Sequence, residues 1–382
     1  MSNRLRYKRH ALEEMGPLDK SVVSIWQRIH IDPLLLILLS IMLIVGLFLL
    51  YSAGNQSYEL IERQLLHIGL AFFVLFAFSQ IPPRIYQQWA PGLFVVGMVL
   101  LIVVLGMGVV GKGAQRWLNV GLFRFEPSEI MKLSMPMMLA WYLNQYHLPP
   151  RTKHLFFCIL LVAVPALLIA KQPDLGTGLM LMLTGFFVVV LAGISGRFIA
   201  LSMMIGMVCM PLFWHFMHDY QRQRVLIFLN PERDPLGSGY HIIQSKIAIG
   251  SGGFLGKGWL QGTQAHLEFL PEHTTDFIFA LCGEEFGFLG CFFLLSLVLA
   301  IVARCLYISI QAQDTFTRLL AGGLSLSFFS GFFVNIGMVT GILPVVGLPL
   351  PLISYGGTTL VTMMASFGVI MSIHTHRKLL DS

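Results

Sequence analysis

The stretch EFLPEHTTDF, residues 268–277, sets Glu268, Glu272, His273 and Asp276 directly before a long apolar run. A carboxylate in that place has the chemistry of a general base, able to take a proton from an attacking hydroxyl. Holding an ionisable group at membrane depth is costly, so function is the first explanation to test. The competing explanation is local, with Thr274 or Asp276 capping the N-terminus of the helix that follows. A helix beginning near residue 275 puts Asp276, Ala280 and Glu284 on one face by four-residue steps.

Several cations could serve such a base if the reacting group were anionic. GKGAQRWLNVGLFRFEPSEIMK, residues 111–132, carries Lys112, Arg116 and Arg124, followed by Glu126, Glu129 and Lys132. Guanidinium and ammonium groups offer several donors to phosphate oxygens. The plainer reading is a basic loop on lipid headgroups with Trp117 as an interfacial anchor. Glu129 fits either a binding site or an ordinary first-turn partner of the helix dipole. KQPDLGTG, residues 171–178, sets Lys171 and Asp174 around Pro173. Both are candidate ligands, although N-capping alone would explain Asp174. Arg222 and Arg224 open a further polar stretch and, with Lys112 and Arg116, would make a cluster suited to a diphosphate. GILPVVGLPLPLISYGG, residues 341–357, crowds Pro344, Pro349 and Pro351 before Ser354, which predicts a broken helix end lining a cavity or a re-entrant turn. GSGGFLGKG, residues 250–258, fails as a phosphate loop: Ser251 and Gly258 stand where that motif needs glycine and Ser or Thr, and no strand precedes it.

The elements that must position these residues are set by composition. Of 382 residues, 56% are hydrophobic and 12% charged, and the mean hydropathy is +0.75. That predicts an all-α integral membrane protein, because a hydrocarbon core about 30 Å thick needs roughly 20 apolar residues per spanning helix. About ten such stretches are present, near 33–51, 64–81, 91–110, 129–146, 154–170, 177–194, 198–217, 275–304, 317–342 and 350–373. They form one polytopic domain over 1–382, with an N-terminal segment 1–32, a long loop 218–274 between the seventh and eighth helices, and a tail 374–382. Lys and Arg cluster at 4–28 and recur at Arg84, Arg151, Lys153, Arg197, Arg304, Arg318, Arg377 and Lys378. By the positive-inside rule these are cytoplasmic, which makes both termini cytoplasmic and the loops near 112–128, 171–176 and 218–274 external. No cleavable signal peptide is expected. The five cysteines lie in or beside apolar segments with no CxxC spacing, so neither a disulfide framework nor a zinc site is implied. The net charge of +6 follows the same inside bias, which excludes nucleic acid and favours anionic lipid.

Taken together, KGAQRWL, FEPSEIMK, QPDLGTG, HDYQRQRV, DPLGSGYHIIQSKIAIGSGG, LEFLPEHTTDFIFA, GEEFG, VNIGMVTGILPVVGLPLPLISYGG and SIHTHRK resemble the SEDS family (shape, elongation, division and sporulation) over about 30–378. The wording of YHIIQSKIAIGSGG and GILPVVGLPLPL is similar to the elongation branch rather than the division branch. The resemblance implies a ten-helix glycosyltransferase of a bacterial cytoplasmic (inner) membrane that polymerises lipid II into β-1,4 glycan. It also implies a class B penicillin-binding protein as partner, and Asp276 as the essential aspartate. In that reading Asp276 is the base, while Lys112, Arg116, Arg222 and Arg224 face the departing diphosphate. Glu129, Lys171, Asp174 and Ser354 are further substrate candidates, and a divalent cation, Mg or Mn, is a candidate cofactor. EHTTDF departs from the usual spacing before the aspartate, which leaves His273 without a role, and none is assigned to Glu268, Glu272 or Glu284. The alternative is a flippase for the same lipid, which would use ten spans and kinked helices equally well.

Overall fold

The computed structural model describes residues 29–111, 114–120, 123–194, 219–234, 237–266 and 272–376, with isolated positions between 195 and 218. The chain opens with α1 (Pro33–Ala53), α2 (Tyr58–Gln80) and α3 (Pro83–Met107). Each starts where the sequence supplies a stop or cap. Asp32 accepts from Leu35 N at 2.8 Å at the head of α1, Ser57 accepts from Leu60 N at the head of α2, and Pro83 sits in the first turn of α3. Next come α4 (Pro127–Leu143), α5 (Thr152–Lys171) and α6 (Leu175–Leu191). After them lie α7 (Asp219–Leu229), a 3-10 turn at Pro231–Arg233, α8 (Ser238–Ser251) and the short α9 (Thr263–His266). The chain closes with α10 (Ile278–Ile310), α11 (Thr315–Val339) and α12 (Thr358–Thr375).

Seven of these, α1, α2, α3, α5, α10, α11 and α12, are long and apolar enough to cross a membrane. Helices α4 and α6, at 17 residues each, are about 26 Å long, close to the thickness of the hydrocarbon core. The expected span at 198–217 falls almost wholly outside the described residues.

Three sequence expectations are corrected. The fold is not purely helical, because β1 (Val109–Gly111), β2 (Ala114–Val120) and β3 (Phe123–Phe125) form an antiparallel sheet in the order β1-β2-β3. Val109 pairs with Trp117 and Asn119 with Arg124. A connection of this length leaves backbone groups that need partners, and a small meander satisfies them. The last apolar segment is helical only from Thr358 onward; 341–357 is turn and extended backbone, as its prolines and the positive φ of Gly347 (71°) require. Finally, α10 begins at Ile278 rather than near 275.

Buried at the centre is α11, with 78% of its apolar window covered by neighbours, against 17% for α2. Its small residues permit the approach. A Cβ at Gly322 would stand 2.5 Å from Leu191 Cδ1, and one at Gly323 would stand 2.4 Å from Val188 Cγ2, so α6 lies directly on this face. At one end of the bundle, fully buried Asp32 holds both Arg304 and His374, joining the start of α1 to the ends of α10 and α12.

The glycine run at 250–258 has a structural use that spacing alone does not reveal. Helix α10 is broken at Gly287 (φ 62°, ψ −155°), a conformation open essentially to glycine alone. The carbonyls of Glu284 and Glu285 then accept from Lys257 N and Gly258 N, both at 3.0 Å. In exchange, Phe288 N and Leu289 N donate to the carbonyls of Gly253 and Phe254, at 3.0 and 3.2 Å. The loop thus repairs the backbone hydrogen bonds that the break exposes at membrane depth. Glu284, wholly buried, completes the seam by accepting from Lys257 Nζ at 2.6 Å, Thr263 Oγ1 at 3.1 Å and Gln264 N at 3.2 Å.

Candidate active site

Asp276 sits in a run of turns, 272–277, that precedes α10. Thr275 N and Phe277 N both donate to the carbonyl of Glu272, at 3.1 and 3.3 Å, and Thr275 Oγ1 donates to the Glu272 carboxylate at 2.9 Å. The N-cap of α10 is Phe277, with no side-chain capping bond. Neither Thr274 nor Asp276 is therefore the N-cap residue of α10. The four-residue face also ends early, since Asp276 lies outside the helix that carries Glu284.

What holds the turn is a set of contacts from residues 59 to 81 positions away. Tyr355 N donates to the carbonyl of Thr274 at 2.9 Å, Ser354 Oγ to that of Thr275, and Asn335 Nδ2 to that of Asp276 at 2.8 Å. Ser354 also accepts from Leu350 N at 2.8 Å, so its hydroxyl is committed to the backbone of both segments. Beside the carboxylate runs the extended segment around Gly347, where a Cβ would come within 3.6 Å of Asp276 Oδ2. Arg224 joins this segment two residues earlier, donating from Nη1 to Val345 O at 3.3 Å. Arg222 instead donates from Nε to Trp214 O at 3.0 Å. His241, on α8, packs its ring 5.8 Å from that of Phe277. Burial lowers the His241 pKa, against an upward pull from Glu272 and Asp234.

A second charged cluster lies at the head of α4. Glu129, 2% exposed, accepts from Lys132 Nζ and from Thr359 Oγ1, both at 2.8 Å. Asp174 does cap α6, accepting from Thr177 N at 3.1 Å, and it also pairs with Arg116 Nη1 at 3.3 Å. Glu126 accepts from Ser128 Oγ at 2.6 Å. Its pKa is raised to about 7 by burial and by the charges of Glu129 and Asp174, with Lys132 and Ser128 opposing. Lys171, at the end of α5, is exposed, while Lys112 and Glu268 fall outside the described residues. The two clusters are linked through the segment that leads into α12: Ser354 holds the Asp276 turn and Thr359, five residues on, holds Glu129. Five residues span at most about 18 Å. An apolar cavity of about 370 Å³ reaches Glu129 from between Phe78, Tyr86, Leu93 and Leu133.

Sequence reasoning missed Asn335, Thr359 and Gly347. Asn335 did carry a signal, as a lone amide inside an apolar span, where a polar side chain needs a named partner. Among the described residues, no group of three or more His, Cys, Asp or Glu side chains is arranged to hold a metal ion.

Fold and site together define a multi-pass membrane protein that holds a part-exposed carboxylate beside an extended segment at the end of its helices. The chain belongs to the FtsW, RodA and SpoVE family of cell cycle proteins, whose profile matches residues 32–379. It is 50% identical to the peptidoglycan glycosyltransferase MrdB of Escherichia coli (strain K12) over 359 residues, covering 94% of this chain and 97% of that protein. Among solved structures it resembles a chain from a peptidoglycan synthase complex that coordinates polymerisation and crosslinking, with TM-score 0.80 and 31% identity over 91% of this chain and 99% of that one. It also resembles the rod shape determining protein RodA of Thermus thermophilus, with TM-score 0.69 and 27% identity over 91% and 98% of the two chains.

Proposed function

We propose that this chain is a peptidoglycan glycosyltransferase of cell elongation, polymerising lipid II with Asp276 as general base. The observation that carries the reading is a carboxylate that is not the N-cap residue of its helix, on a turn whose three successive carbonyls are each held by a distant residue. A base so fixed can take the proton from the acceptor sugar's 4-hydroxyl as that oxygen attacks the anomeric carbon of the donor. The C–O bond to the lipid diphosphate breaks as the β-1,4 bond forms, and the diphosphate leaves with its electron pair. One base and one displacement suffice for inversion, so no carboxylate nucleophile is needed.

Cations near the departing diphosphate would stabilise its developing charge. Arg224, bonded from α7 to the segment beside Asp276, and Arg116, at the rim of the second cluster, are the described residues best placed to serve. Lys112, Arg222 and Lys171 complete the candidate set. A divalent cation, Mg or Mn, would be held chiefly by the oxygens of the diphosphate itself, as hard cations commonly are. The apolar cavity beside Glu129 suits a length of polyprenyl chain. The reading includes a class B penicillin-binding protein as crosslinking partner, about ten spans, both termini in the cytoplasm, and residence in the bacterial inner membrane.

The test is polymerisation by the purified chain with its crosslinking partner and lipid II. Asp276→Asn is expected to lower the rate by about two to four orders of magnitude, the usual worth of a general base. Full polymerisation by a folded Asp276→Asn protein would overturn the assignment and return attention to lipid transport.

A further inference from the structure

We infer that Asn335 is a positioning residue for the reaction, setting the Asp276 carboxylate against the segment that carries Gly347; this rests on the reading of Asp276 as the base. Asn335 is wholly buried on α11, the central helix of the bundle. A primary amide in such surroundings is expensive unless it is hydrogen-bonded. Its nitrogen spends both hydrogens on the site, donating to Asp276 O at 2.8 Å and to Leu348 O at 2.7 Å. These carbonyls belong to the two chain segments whose separation sets how the Asp276 carboxylate meets the backbone at Gly347.

The chemistry of the side chain is specific. One sp² nitrogen supplies two diverging N–H bonds on a short stem, whereas a carboxylate in its place would turn oxygens toward both carbonyls. Asn335 Oδ1, by contrast, is buried with no hydrogen-bond partner among the described residues, so the residue is held by its donors alone. Ser354 and Tyr355 fix the two preceding carbonyls. Without Asn335 the carbonyl of Asp276 itself is the one released. A side chain that only filled space at this point would be apolar.

The test compares Asn335→Asp with the unchanged chain in the lipid II assay, measuring kcat, KM and the pH profile of kcat. The expected result is a fall in kcat of about tenfold to a hundredfold, the scale of a small misplacement of reacting groups. KM should stay within about threefold, and the acid limb of the kcat profile should move. A kcat within twofold of the unchanged chain, or a rise in KM alone, overturns the inference. If Asn335→Asp fails to give a monodisperse protein, Asn335→Gln, which keeps the amide but displaces it by one carbon, is judged by the same criteria. Asp276→Asn runs alongside: polymer from that variant sinks the base assignment, whereas its inactivity beside an unimpaired Asn335 variant sinks only the positioning role.

Discussion

Thr359 donates its hydroxyl to the buried carboxylate of Glu129 at 2.8 Å, which ties the first turn of α12 to the head of α4. Five residues earlier the same segment, through Ser354, holds the carbonyl of Thr275. Asp276 and the charged cluster around Glu129 are therefore parts of one mechanical frame.

Thr359→Val keeps the shape and removes the donor. A hydrogen bond to a buried charge is worth about 1.5–3 kcal/mol, so the variant should melt at a lower temperature and polymerise more slowly. Thermal unfolding in detergent and the lipid II assay check both. Unchanged values in each would mean that the frame does not depend on this bond.

Arg116 and Asp174 separate binding from structure. Asp174 is 3% exposed and Arg116 28% exposed, so the arginine alone can turn toward a ligand. Asp174→Asn retains a competent N-cap and should cost little stability. Arg116→Ala should raise KM for lipid II by about tenfold, the equivalent of roughly 1.4 kcal/mol of lost contact. Equal effects of both variants on KM would assign the pair to folding.

Glu126 supplies a pH dependence whose sign can be worked out. Its carboxyl is raised from an ordinary value of 4.5 to about 7, chiefly by burial. Between those values the folded chain keeps a proton that the unfolded chain has lost, so the contribution to stability falls as pH rises through this window. The deficit is complete about one unit above pH 7 and amounts to roughly 3 kcal/mol. Glu126→Gln stays neutral throughout, so its melting temperature should match the unchanged chain near pH 4.5 and exceed it increasingly toward pH 8. An advantage independent of pH would show that charge is not the cause.

Gly287→Ala tests the repaired break in α10. The added Cβ would stand 2.3 Å from Gly256 N, on a backbone at φ 62° that side chains rarely adopt. Strain of about 1–3 kcal/mol plus the steric clash should lower both stability and activity. Gly106→Ala, where nothing lies within 4 Å of the new Cβ, should be silent in the same measurements.

The sequence by itself determined the membrane class and most of the spans, because partition into lipid depends on the composition of each short segment and hardly on its neighbours. Charge in so apolar a chain is conspicuous, which made candidates of Asp276 and of the acidic and basic residues near 116–132 and 174, while the resemblance to the SEDS family set Asp276 apart from Glu268 and Glu272. The tertiary structure decided which partners the described ones meet. Asp174 is a cap as well as an ion-pair partner, Glu284 fastens the loop at 257–264, and Ser354 holds the backbone of the Asp276 turn. The glycines at 250–258, which imitate a phosphate loop, supply the partners for a broken helix 30 residues away. Asn335 and Thr359 became legible only with their acceptors in place. The reason is physical: hydrophobic partition is a local, additive property of a segment, whereas a hydrogen bond exists only when donor and acceptor meet within about 3 Å, and residues 276 and 335 are brought that close by the packing of α10 and α11.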